Sequence, residues 1–240
     1  MGSGAEVFWY VPNLIGYLRV LCTVWGLGIA LRSPAWTIAL YFVSFVCDEL
    51  DGRFARMLQQ TSTLGAVLDM VTDRLSTTGL LLILAVLYPG LLLACLLLIF
   101  LDIFSHWSQM YAQLLVGAAS HKDTASSSWL VRKYYQYRLF MGFCCVCCEV
   151  LYLCAYGLAF PGPRAWQIGA EWNLLGRLPS QLLHQLPALQ TILGPGPGVP
   201  LLALLALAAV PGFVVKQICN VAQLRTSANM LVRHDKRKRS

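Results

Sequence analysis

Long stretches almost free of charge alternate along the chain with short polar breaks. Stretches such as Leu80 to Leu101 and Val199 to Val215 come near the ~20 residues that an α-helix needs to cross a hydrocarbon layer of ~30 Å. Read against turn signals, the apolar stretches predict about six crossings, over residues 9–31, 36–57, 64–87, 90–116, 139–160 and 199–221. The breaks fall at Arg32-Ser33-Pro34, at Gln59 to Thr63, at Tyr88-Pro89-Gly90, across Ser120 to Ser128, and through the Pro- and Gly-rich run from Pro161 to Pro200. The pattern is that of an all-α polytopic membrane protein, with residues 1–240 forming a single domain. No internal repeat and no separate soluble domain stands out.

Composition agrees with that pattern. Of the 240 residues 58% are hydrophobic and 12% charged, against roughly 25% charged in ordinary soluble domains. No Lys or Arg precedes the first apolar run, so nothing there resembles a cleaved signal and the first helix is expected to remain in the mature protein. The nine cysteines show no pair of zinc-type ligand loops and read as small apolar core residues, with acylation near a membrane boundary as the alternative.

Charge then sets the orientation. The net charge of +7 concentrates in His121 to Arg138 and in Arg225 to Arg239, whereas the opposite side carries Arg32, Arg164 and Arg177. By the positive-inside rule both termini are cytosolic and residues 222–240 form a basic cytosolic tail. Attraction to anionic lipid is a second role for that tail, and the absence of an aromatic stacking platform argues against nucleic acid. On the lumenal side, Trp166 and Trp172 are expected at the interface and Pro179 to Leu193 as a short surface helix.

Four carboxylates change the picture from membrane protein to membrane enzyme. Asp48, Asp51, Asp69 and Asp73 stand in or beside predicted crossings, where ionisable groups are costly and mark function by default. Something positive must compensate them. Residues 48, 51, 52, 55 and 56 share one helical face, and Gly65, Asp69 and Asp73 share another. Two antiparallel helices joined by a short turn can therefore aim all four carboxylates at one place. An all-oxygen set of this kind suits Mg²⁺ or Mn²⁺ rather than zinc, and two ions balance its charge better than one. Such a pair suits an in-line displacement at phosphorus. Gly52 and Gly65 leave room for a ligand or a facing helix, and Arg56 supplies a planar donor fork for phosphate oxygens.

The run Asp48-x2-Asp51-Gly52-x2-Ala55-Arg56-x8-Gly65-x3-Asp69-x3-Asp73 resembles the full signature of the CDP-alcohol phosphotransferases. At roughly 5% per residue type, its fixed positions coincide by chance on the order of 10⁻¹⁰ per start site. The resemblance implies that the four aspartates hold two ions and that Asp73 accepts the proton of the attacking hydroxyl. It further implies that Gly52, Arg56 and Ser62 contact a CDP-linked donor, that CMP is released, and that the enzyme is a homodimer.

Outside the signature, Val11-Pro12-Asn13-Leu14-Ile15-Gly16-Tyr17-Leu18-Arg19, Leu68-Asp69-Met70-Val71-Thr72-Asp73-Arg74 and Ser120-His121-Lys122 are similar to the eukaryotic branch that makes phosphatidylinositol. Tyr134-Tyr135 followed by Arg138 adds to the likeness, which covers most of residues 8–160. It implies CDP-diacylglycerol and myo-inositol as substrates, at the endoplasmic reticulum membrane with a cytosolic active site. Lys122 and Arg138 are the candidates for binding inositol, in a loop that also offers His121, Tyr134 and Tyr135. Setting topology explains Lys122 and Arg138 equally well.

Asn13 and Arg19 are within reach of a nucleotide, or serve as a helix cap and an interface anchor. Asp102 and His106, one helical turn apart, are expected to pair with each other or line a subunit contact. Another acceptor, glycerol 3-phosphate or serine, is the alternative within the same chemistry. A cation or proton transporter and an inactive scaffold are the alternatives outside it. The clustering of the carboxylates near one membrane face opposes the first, and the completeness of the signature opposes the second.

Overall fold

The computed structural model describes residues 4–116, 133–134, 136–164, 167–168 and 198–239. Six long helices carry the fold: α1 (Val11–Gly28), α2 (Pro34–Met57), α3 (Thr63–Leu87), α4 (Leu92–Val116), α5 (Arg138–Leu158) and α6 (Leu201–Arg239). Their starts and ends follow the predicted crossings closely except at α6. Lys122, Trp166, Trp172 and the segment 179–193 lie outside the described residues. The chain divides into two compact units, residues 1–89 and 90–240.

By length and composition alone, α3, α4, α5 and α6 qualify as membrane spans. The sequence of α2 is diluted by Asp48, Glu49, Asp51, Arg53 and Arg56, and that of α1 by Asn13 and Arg19. Outward-facing Leu, Phe and Trp side chains, among them Leu21, Trp25, Phe42, Leu97 and Phe100, form the apolar exterior that a bilayer demands. The protein is an all-α, multi-pass membrane protein.

In the first unit α1 packs against both α2 and α3. Small residues permit the approach: a β-carbon at Gly16 would lie 2.6 Å from Leu68 Cδ2, and one at Gly79 would collide with Leu27. Close backbone contact of this kind is how helices associate where lipid removes the hydrophobic drive. Buried hydroxyls reinforce it, with Thr23 and Ser44 at 2.9 Å and Thr37 Oγ1 donating to the Gly26 carbonyl at 2.9 Å.

The α2–α3 turn is built by two helix caps. Gln59 takes a left-handed conformation, φ 56°, so that Gln60 N–H reaches back to the Ala55 carbonyl at 2.9 Å and closes α2. Ser62 then caps α3, its Oγ accepting from Gly65 N–H at 2.9 Å. Gln60 Oε1 also accepts from Val11 N–H at 3.0 Å, which fastens the start of α1 to this turn.

In the second unit α6 packs against α4 and α5. A β-carbon at Gly212 would lie 2.6 Å from Cys147 Cβ, so α5 and α6 meet through a glycine and a thiol. All nine cysteines are free, and all but Cys145 are buried, as small apolar core residues should be. Asp102 and His106 pair along α4 at 3.6 Å, and Lys216 donates to Asn220 at 2.9 Å. A two-residue antiparallel pairing of Gln167–Ile168 with Val199–Pro200 leads into α6.

The sixth helix outruns its apolar stretch, which ends near residue 221, and continues to Arg239. Its polar continuation is rich in Ala, Leu, Gln, Arg and Lys, which sustain a helix as well as apolar residues do. Ser227 and Met230 within it are buried. A change of composition marks the end of the apolar part, not the end of the helix.

Candidate active site on the first three helices

The start of α1, the end of α2 and the start of α3 converge on one place. From α2 come Asp48 and Asp51, and from α3 come Asp69 and Asp73. Between them lies the guanidinium of Arg19, from α1, with its side chain only 3% exposed. Its NH1 reaches Asp51 Oδ2 at 3.0 Å and Asp69 Oδ1 at 2.8 Å. Its NH2 reaches Asp48 Oδ1 at 2.6 Å and Asp73 Oδ1 at 2.8 Å. Every signature carboxylate thus meets the same cation, and Arg19 Nε remains buried without a partner.

The carboxylates themselves remain within reach of a ligand, since the Asp69 side chain is 49% exposed and that of Asp73 39%. Asp48, Asp51 and Asp69 each offer an oxygen, all within 4.8 Å of one another, in a grouping able to hold a metal ion. The donor set is all oxygen, and it already surrounds a positive charge. Both features fit a hard divalent cation. Arg74 NH2 approaches the other oxygen of Asp73 at 3.7 Å.

Beside the carboxylates opens a pocket of about 190 Å³, lined among others by Asn13, Asp51, Gly52, Arg56, Ser62 and Gly65. The Arg56 guanidinium folds back over Gly52, 3.5 Å from where a β-carbon would stand, and has no carboxylate partner among the described residues. Gly65 is required by close approach, because a β-carbon there would lie 2.7 Å from Asn13 Oδ1 and 3.1 Å from Ser62 Oγ. Asn13 donates through Nδ2 to the Val7 carbonyl at 2.6 Å, which leaves its buried Oδ1 as an acceptor without a partner. Two helix N-termini border this pocket, α1 through Pro12 and Asn13 and α3 through Ser62, and both favour an anion.

A comparison with protein-family models matches residues 9–160 to the CDP-alcohol phosphatidyltransferases. The chain belongs to the CDP-alcohol phosphatidyltransferase family. Within this family it is 42% identical over 232 residues to an Arabidopsis thaliana protein named probable CDP-diacylglycerol–inositol 3-phosphatidyltransferase 2, covering 96% of this chain and 92% of that one. To the Saccharomyces cerevisiae CDP-diacylglycerol–inositol 3-phosphatidyltransferase it is 34% identical, covering 97% of this chain and 90% of the yeast protein. The human protein of that name is 36% identical over 68% of this chain. No solved structure matches.

Of the site residues expected for this phosphatidyltransferase from sequence, the structure brings Asp48, Asp51, Asp69 and Asp73 together and puts Gly52, Arg56 and Ser62 on the adjoining pocket. Ser62 Oγ is engaged as the α3 cap, and its proton stays available to a phosphate oxygen. Lys122 and the side chain of Arg138 lie outside the described residues. Tyr134, grouped with them in sequence, is a core residue at 3% exposure, packed with Cys144, Cys219 and Phe140. Sequence reasoning placed Arg19 at a nucleotide or an interface and missed its seat among the aspartates. The signal was there: a lone arginine inside an apolar helix requires an acidic partner.

Proposed function

We propose that this enzyme transfers the phosphatidyl group of CDP-diacylglycerol to myo-inositol, giving phosphatidylinositol and CMP. The observation that carries the reading is similarity over nearly the full length to relatives named for that transfer. In this reading the protein works as a homodimer in the endoplasmic reticulum membrane, with its active site and both termini cytosolic and residues 222–240 as its basic cytosolic extension.

Asp48, Asp51, Asp69 and Asp73 hold two divalent ions, Mg²⁺ or Mn²⁺. When bound, these supply charge stabilisation on the phosphate oxygens. The diphosphate of the donor lies in the pocket between Arg56, the Ser62 hydroxyl and the α3 N-terminus, and Gly52 and Gly65 leave it room. Asn13 Oδ1 offers an acceptor to the amino group of cytosine. An inositol hydroxyl attacks the β-phosphorus, a new oxygen–phosphorus bond forms, and the bond to the CMP phosphate breaks. Asp73, whose Oδ2 lies 3.7 Å from Arg74 NH2, takes the hydroxyl proton as that bond forms. Lys122 and Arg138 bind the inositol ring.

The test is product analysis. Purified protein in detergent, given CDP-diacylglycerol, Mg²⁺ and an equimolar mixture of myo-inositol, serine and glycerol 3-phosphate, should yield a lipid whose headgroup mass is that of inositol. A serine or glycerol phosphate headgroup would keep the site and overturn the acceptor.

A further inference from the structure

A guanidinium ion-paired to four carboxylates, 97% buried and carried by the helix that joins the other two, is an expensive arrangement unless it has a purpose. Each of its terminal nitrogens bridges a carboxylate of α2 and one of α3. The guanidinium therefore sits among the carboxylates that would ligate cations of the proposed metal centre, Asp48, Asp51 and Asp69 among them. Asp51 and Asp69 in particular give NH1 the atoms Oδ2 and Oδ1 at 3.0 and 2.8 Å.

We propose that Arg19 is a resident counter-ion of the carboxylate cluster that competes with divalent metal for it. Through its four ion pairs Arg19 holds the aspartates of α2 and α3 together. When metal enters, the guanidinium gives up those oxygens and turns toward the adjoining pocket, where its Nε and terminal N–H groups meet the donor's diphosphate. Charge favours the exchange. Four carboxylates and one guanidinium carry a formal −3; two divalent ions neutralise the four carboxylates, and the displaced guanidinium supplies a net +1 that attracts a diphosphate diester. With a single ion the carboxylates and guanidinium together would stay at −1. The guanidinium already adjoins that pocket, since Asp51 and Asp69, which its NH1 meets at 3.0 and 2.8 Å, line it.

The inference rests on the metal reading of the aspartates, and its test separates the two. Mn²⁺ binding to purified protein without substrate is followed by the electron paramagnetic resonance signal of free Mn²⁺, in the wild type and in Arg19→Met and Arg19→Lys. A competitor that occupies the site most of the time weakens apparent affinity by the fraction it leaves open, so its removal should tighten Mn²⁺ binding by about tenfold. Arg19→Lys keeps the positive charge but loses the fork, and should fall between the other two. If Arg19→Met does not fold, a tighter affinity in Arg19→Lys still supports competition. Affinity equal to or weaker than wild type in the folded variants overturns the role of Arg19. A wild type that binds no Mn²⁺ overturns the metal reading and the inference with it.

Discussion

At the scale of single residues, the proposed site assigns different tasks to carboxylates that look alike in sequence. Asp73→Asn keeps size and removes the proposed proton acceptor, so kcat should fall by about 10²–10⁴, the range for positioned general bases. Mn²⁺ binding measured beside it should weaken less than in Asp51→Asn. Asn13→Ala removes the unpartnered acceptor next to the pocket, and should raise KM for CDP-diacylglycerol about tenfold with a smaller change in kcat. An unchanged KM would sink the contact with cytosine. The shared face of Asp48, Asp51 and Arg56, and that of Asp69 and Asp73, was legible because i, i+3 and i+4 spacing places side chains together on a helix. For Arg19 its place in an apolar helix implied an acidic partner, but which carboxylates it meets was not legible, because spacing within one helix says nothing about what a neighbouring helix brings to that face.

At the scale of elements, the site depends on how α2 ends and α3 begins. Gln59 adopts a positive φ that costs a residue with a β-carbon about 1–2 kcal/mol. Gln59→Gly removes that cost and gives back part of it through greater freedom in the unfolded chain. The net effect should be a thermal midpoint in detergent a few degrees higher, and a lower midpoint would contradict the capping geometry. Ser62→Ala removes the hydroxyl that caps α3 and should cost about 1 kcal/mol of stability, together with a higher KM for the donor. Helix positions were readable because turn residues interrupt the apolar runs at Ser33-Pro34, Ser62 and Pro89. The far end of α6 was not readable, since hydropathy reports where apolar residues stop and the backbone takes no notice of that.

At the scale of the whole molecule, the proposed orientation rests on where the basic residues lie. Protease added to sealed microsomes should remove epitope tags at both termini, and protection of either would reverse the proposed topology. The family was legible because its signature sits in one contiguous stretch, residues 48–73. The acceptor site was not legible in the same way, because a polyol is gripped by scattered donors whose spacing has no fixed period, and Lys122 and the Arg138 side chain fall outside the described residues. The central claim is that this cluster of aspartates releases CMP from CDP-diacylglycerol when inositol is present. The most direct measurement is CMP release by purified protein with Mg²⁺, with and without myo-inositol, for wild type and Asp73→Asn. Release that requires both inositol and Mg²⁺ and disappears in Asp73→Asn is the expected result; inositol-independent release, or full release by the folded variant, would contradict it.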